Sequence, residues 1–223
     1  MAENKIQLTK ADRKKVCFRH QFLQGSWNYE RMQNGGWCFA MIPAIKKLYT
    51  SKDDQIAALK RHLEFYNTHP YVSAPVIGVT LALEEERANG APIDDVAIQG
   101  VKVGMMGPLA GVGDSLLMTM IPTIMGSIAA YMAIEGNPVG AGIWFALILA
   151  IFWVRMPALE FGYKQGVKLV TDFSEKLPNL TAAASVLGLT VVGCLIASVI
   201  GVTCPISFSF GDVSMEIQPL LDK

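Results

Sequence analysis

Apolar positions in this chain are gathered into long blocks rather than spread evenly. Residues 115–134, 136–154 and 177–211 run for 20, 19 and 35 positions without a charged side chain, and the third is most apolar between 182 and 202. A helix needs roughly 20 mostly apolar residues to cross a bilayer, so the three runs predict three spanning helices. Pro122 and the glycines inside them are compatible with this, because neighbouring helices can satisfy freed backbone groups. Core helices of a large soluble protein would look similar, but three in one short chain argue against that. A shorter charge-free run, residues 72–83, has 12 positions and suits a buried or re-entrant helix better than a span.

The mixed segments predict smaller elements. Residues 9–23 fit an amphipathic helix capped by Thr9, with Val16, Phe18, Phe22 and Leu23 apolar. Its Arg13, Lys14, Lys15 and Arg19 suit either anionic headgroups or a partner surface. Residues 26–49 combine aromatics with short polar side chains, and residues 53–66 fit a surface helix with acids first and bases last. Pro70 disfavours helix at His69 and marks a break at residues 67–70. Asp94 and Asp95 open a helix to about Met105. In the tail, residues 206–210 and 213–217 alternate around Gly211 and Asp212, a β-hairpin pattern. The expected architecture is an all-α polytopic membrane protein with broken and re-entrant helices and a small C-terminal β-hairpin. It divides into a basic arm (1–25), a membrane-embedded domain (26–202) and an extramembrane tail (203–223).

Charge adds an orientation. Only 17% of residues are charged, against about 25% in an average soluble domain. Lys+Arg and Asp+Glu cancel at 19 each, but residues 1–70 carry 12 bases and 6 acids. A basic front ahead of the apolar blocks places the N-terminus in the cytoplasm. Residues 1–20 show no signal-peptide pattern. Cys17, Cys38, Cys194 and Cys204 have no CxxC spacing, so neither a disulfide framework nor a zinc site is expected. Nothing points to nucleic acid.

The most unusual chemistry sits at residues 104–115, where Gly104, Gly107, Gly111 and Gly113 precede Asp114 and Ser115. A phosphate-binding loop would need Gly-Lys-Ser/Thr, and a dinucleotide fingerprint would need Gly where Leu116 stands. A glycine-broken helix beside a carboxylate can line a polar cavity in a membrane, or Asp114 can simply cap the next helix. Asn67 and His69 offer donors and acceptors at the break. Glu84, Glu85 and Glu86 cannot share one helix face, so one could meet a cavity while the others are solvated. His20, His62 and His69 have no metal spacing, and no nucleophile–base motif occurs; no cofactor or catalytic centre is expected.

Several stretches carry a family resemblance: QGSWNYERMQ (24–33), GWCFAMIPAI (36–45), RHLEFYNTHP (61–70), APVIGVTLALEEERANG (74–90) and GMMGPLAGVGD (104–114). Across residues 23–200 the chain resembles the IID component of the mannose/fructose/sorbose phosphotransferase system. The resemblance implies a non-enzymatic permease subunit of a bacterial cell membrane, paired with a IIC subunit in a hetero-oligomer within membrane lipid. It also implies a separate IIAB protein that carries phosphate on histidines and phosphorylates the incoming hexose. Asn67, His69, Glu84, Asp114 and Ser115 would contact the sugar or shape its path. The alternative is an assembly subunit that steadies IIC and docks IIAB without touching sugar. Ser115–Leu116–Leu117–Met118 replaces the Pro and aromatics of many mannose-type members, and His69 replaces a frequent Gln. Relative to the family the chain stops early, soon after the hairpin pattern.

Overall fold

The computed structural model describes residues 5–171 and two short paired segments, β1 (Ser207–Phe210) and β2 (Val213–Glu216), which run antiparallel. The third apolar run, and the expected hairpin as a unit with its turn at Gly211 and Asp212, lie outside the described residues.

The first helix, α1 (Lys10–His20), starts where the sequence predicts. Thr9 accepts the Asp12 amide at 3.2 Å and Asp12 accepts the Thr9 amide at 3.1 Å, a reciprocal cap that satisfies two orphan donors. Val16, Cys17 and His20 are buried against α2 (Asn34–Leu48) and α7 (Val139–Thr171). Polar clamps fix the segment. Arg13 donates twice to Glu160 at 2.9 Å, and the Leu8 amide donates to Glu85 at 2.6 Å. The expected basic arm is thus built into the core along one side and basic on the other.

Trp37, Ala40, Met41, Ala44, Ile45 and Leu48 line the buried stripe of α2, as an amphipathic period requires. The next helix, α3 (Lys52–His62), begins at a Ser51 cap with acids in its first turn and bases in its last. It ends four residues earlier than the expected position 66. The reason is tertiary: the Gln33 amide donates to the Tyr66 carbonyl at 2.9 Å, and the Tyr66 ring packs on Trp37 at 4.0 Å. That contact pulls residues 65–67 out of helical geometry.

Helix α4 (Ala74–Ala88) is the centre of the molecule, with every residue from Val76 to Glu85 buried. It realises the buried-helix option for the short apolar run. It crosses α7 closely because both helices present glycine. A Cβ on Gly78 would stand 2.2 Å from the Leu159 carbonyl oxygen, and one on Gly162 2.1 Å from that of Pro75.

The glycine-rich segment corrects the sequence expectation. Helix α5 (Asp95–Val112) starts at an Asp94 cap, but it neither ends near Met105 nor breaks at the glycines. It runs into a wider, π-helical stretch, Gly113–Met120, and then α6 (Ile121–Ile134). Asp114 lies inside that stretch and caps nothing. A break in lipid would leave amides and carbonyls unpaired. Widening the turn keeps them bonded while shifting the helix register.

Residues 95–134 and 139–166 form two helices long and apolar enough to cross a membrane, with 0% and 11% of their most apolar stretch buried. A core helix would be covered; these present Ile128, Phe145, Leu149 and Trp153 outward.

Candidate functional site

The loop between α3 and α4 is pinned from two sides. Gln33 donates to the Thr68 carbonyl at 2.8 Å and accepts the Thr68 amide at 3.1 Å. The Thr68 hydroxyl donates to the Met106 carbonyl of α5 at 3.0 Å. These bonds lay residues 67–70 along the glycine-rich face of α5.

His69 is 3% exposed and lies against Gly113. A Cβ on Gly113 would sit 2.3 Å from the His69 Cβ, so only glycine admits this approach. The ring's Nδ1 accepts the Tyr71 amide at 3.3 Å, which leaves the proton on Nε2. Burial lowers the His69 pKa, Arg155 lowers it further and Asp114 opposes them. The ring is therefore neutral at physiological pH. Arg155 reaches across from α7, buried, donating to the Pro70 carbonyl at 2.6 Å and to Gln21, with its guanidinium 5.3 Å over the Tyr71 ring.

Asp114 is exposed beside this seam, and its carboxylate has no hydrogen-bond partner among the described residues. An ionised group on a membrane-length helix needs a polar neighbour, supplied by a cavity or a second subunit. Ser115 turns back, donating to the Gly111 carbonyl at 2.7 Å as helical serines do. Asn67 is exposed at the edge of the loop, its amide against the Met106 sulfur at 3.1 Å. Two motifs held apart in the sequence thus meet: His69 adjoins the Gly113–Asp114 turn, with Asn67 and Ser115 at the margins.

Glu84 stands elsewhere. Fully buried, it takes hydrogen bonds from Tyr49 at 2.7 Å and from Arg61 at 2.6 and 3.2 Å. The His62 Nε2 lies 3.0 Å from its Oε1, while Trp37 donates to the other ring nitrogen at 3.4 Å. Burial alone would raise the Glu84 pKa, but the hydrogen bonds from His62 and Arg61 outweigh it and hold the pKa at about 2. Three hydrogen bonds and the neighbouring imidazole thus surround this carboxylate. Glu85 is buried too, between the Leu8 amide and the Tyr163 hydroxyl, so the reading of one buried and two solvated glutamates is corrected. The fold closes around both faces of α4, and only Glu86 stays partly exposed.

Gln33, Thr68 and Arg155 carry the seam; of these the sequence marks only Thr68, within the donor–acceptor stretch 67–70. Arg155 had a signal, a lone cation ending a 19-residue charge-free run. Gln33 had none, since its partner is remote. A cavity of about 170 Å³ opens beside Tyr71, walled by Leu117, Ile121, Pro122, Trp144 and Leu147. Its walls are nearly all apolar, unlike a site for a polyhydroxylated ligand. No group of three or more metal-ligating side chains gathers among the described residues.

The model for the PTS system mannose/fructose/sorbose family IID component matches residues 7–223. The chain belongs to this family. Among its relatives, the mannose-specific EIID component of Escherichia coli K12 is 45% identical over 91% of this chain and 73% of its own length. The sorbose-specific EIID component of Klebsiella pneumoniae is 44% identical over 97% and 82%. The fructose permease IID component of Bacillus subtilis is 42% identical over 99% and 83%. Among solved structures, a cryo-EM complex of the mannose transporter ManYZ with microcin E492 aligns with TM-score 0.84 and 43% identity, covering 97% of this chain and 82% of that one. These relatives are permease subunits, and the IID chain's two membrane-length helices fit a bacterial membrane protein.

Proposed function

We propose that this IID chain works with a IIC subunit to import a hexose of the mannose, fructose or sorbose class, while a separate IIAB protein phosphorylates it. The observation that carries the reading is the meeting of His69 with Gly113 and Asp114 at an open polar seam on a membrane-length helix. The IID side brings together a neutral, largely buried imidazole, an exposed carboxylate without a hydrogen-bond partner among the described residues and the exposed Asn67, a donor–acceptor set suited to sugar hydroxyls. It does not enclose them, so the rest of the site falls to the IIC partner. The N-terminus is assigned to the cytoplasm by its basic excess.

The test is phosphoenolpyruvate-dependent uptake of labelled mannose, with N-acetylgalactosamine in parallel. Host cells lack their own permease and express the cognate IIC and IIAB with or without this chain. Uptake should require the chain, and Asp114→Asn should lower it at least tenfold in a complex of normal abundance. Normal uptake by that variant refutes the role of Asp114.

The alternative, an assembly subunit that holds IIC and docks IIAB, gains weight from Glu84. This motif residue is fully buried and engaged by Tyr49 and Arg61 beside His62, which favours a structural role for it. Under that reading Asp114 would pair with IIC, and Asp114→Asn would lower complex abundance rather than turnover.

A further inference from the structure

Helices α1 and α2 lie antiparallel and leave a groove of about 410 Å³ between them, lined by Lys14, Lys15, Phe18, Arg19, Ile42 and Lys46. The sugar pathway makes no use of it. Its surface is graded from end to end. At one end Phe22 meets Phe18 and Phe39 edge-on at 5.9 and 6.5 Å, and all three rings are 42–66% exposed. At the other end stand Lys14, Lys15 and Lys46, exposed and without an ion-pair partner among the described residues. Arg19 sits between, its guanidinium 4.7 Å over the Phe39 ring. Acids are scarce: Asp12 is the one acid on α1 and is turned back to Thr9, and α2 has none.

The gradient has a direction relative to the membrane. Arg13 binds Glu160 of α7, and Gln21 binds Arg155 one turn or so nearer the charge-free stretch. The phenylalanine end of α1 therefore points toward the exposed apolar surface of α7, and the lysine end points away from it. An interfacial helix is built in this order, with rings at the acyl boundary and cations at headgroup level.

We propose that the groove between α1 and α2 binds the headgroup of an anionic phospholipid, with Lys14, Lys15, Lys46 and Arg19 around the phosphate and Phe18, Phe22 and Phe39 among the upper acyl chains. An acidic protein face would match the lysines but leave three adjacent phenylalanines in water. The inference goes beyond the sugar reading and requires only that the chain sits in a bilayer.

The test uses the chain purified with its membrane partner and exchanged into mixed phosphatidylglycerol and phosphatidylcholine; retained lipid is counted by mass spectrometry. Wild type should retain phosphatidylglycerol preferentially. Each lysine removed should weaken that preference about fivefold, the usual worth of a cation at an anionic surface, so Lys14→Gln/Lys15→Gln/Lys46→Gln should lose at least tenfold. Lys52→Gln/Lys60→Gln, on exposed positions of α3, should change it less than twofold. If the triple variant does not assemble, Lys14→Gln and Lys46→Gln singly read the same loss. Unchanged preference in the variants overturns the proposal. So does loss of IIAB capture in lipid-free detergent with the phosphatidylglycerol preference intact, which would assign the groove to a protein. Uptake is not measured, so failure of the sugar reading leaves this result standing.

Discussion

Glu84 keeps its charge where no water reaches it, because Tyr49, which follows α2, and Arg61 of α3 donate to its two oxygens and His62 of α3 lies 3.0 Å from one of them. Breaking such a buried pair by removing one partner costs about 3–5 kcal/mol, since the other charge is left unpaired. Glu84→Gln should therefore lower the thermal midpoint of the purified complex markedly; an unchanged midpoint would refute the assignment. The pH dependence has a definite sign. The folded pKa of about 2 lies below the ordinary 4.5, so this stabilisation is present above about 4.5 and is lost as pH falls toward 2. Glu84→Gln should flatten the midpoint-versus-pH curve in that window. The sequence pointed to Glu84 as a residue that contacts the sugar or shapes its path, and the fold buries it among Tyr49, Arg61 and His62. A carboxylate's partners lie up to 35 residues away, and spacing along the chain does not reveal whether its lone pairs are already taken. For His69 and Asp114 the local motifs sufficed to nominate both, but only the docking of the loop on α5 made them neighbours.

At the scale of elements, the crossing of α4 and α7 depends on backbone approach. Gly78 faces the Leu159 carbonyl, Gly162 faces that of Pro75, and a Cβ on Gly166 would stand 2.7 Å from the Ala82 methyl. Small residues four apart, here Gly162 and Gly166, let helices touch where lipid offers no hydrophobic drive to associate. Gly162→Leu should destabilise the fold by at least about 1–3 kcal/mol, the usual cost of overpacking, because backbone atoms cannot swing aside. Gly142→Leu, on the same helix where added atoms meet nothing within 4 Å, is the control. Equal thermal midpoints for the two variants would refute the close crossing. Helix starts at Thr9 and Asp94 were legible because capping is local, and α3 begins one residue before the expected position 53. Helix ends were not: α3 stops early because Tyr66 is drawn to Trp37, and α5 runs on because a break in lipid is costlier than a widened turn.

At the scale of the whole molecule, the two long helices carry an apolar belt that the described residues leave uncovered. Water is a poor neighbour for such a surface, which fits burial in a bilayer. The chain should stay in the membrane fraction through an alkaline carbonate wash and leave it only with detergent. Release into the wash would refute the spanning assignment. The seam at His69 and Asp114 lies beside this belt, on the first of the two membrane-length helices.

The sequence alone determined that this is a helical membrane protein, where the helices capped by Thr9 and Asp94 begin, and to which family its motifs point. Those properties follow from local composition: runs of apolar side chains, caps within a few residues, and contiguous motifs. Tertiary structure decided the rest. It locked Glu84 away, brought His69 to Gly113, drew the basic N-terminal helix into the core and kept the glycine-rich segment helical. Each of these depends on which remote backbone or side chain arrives as a neighbour, and desolvation makes that arrival decisive.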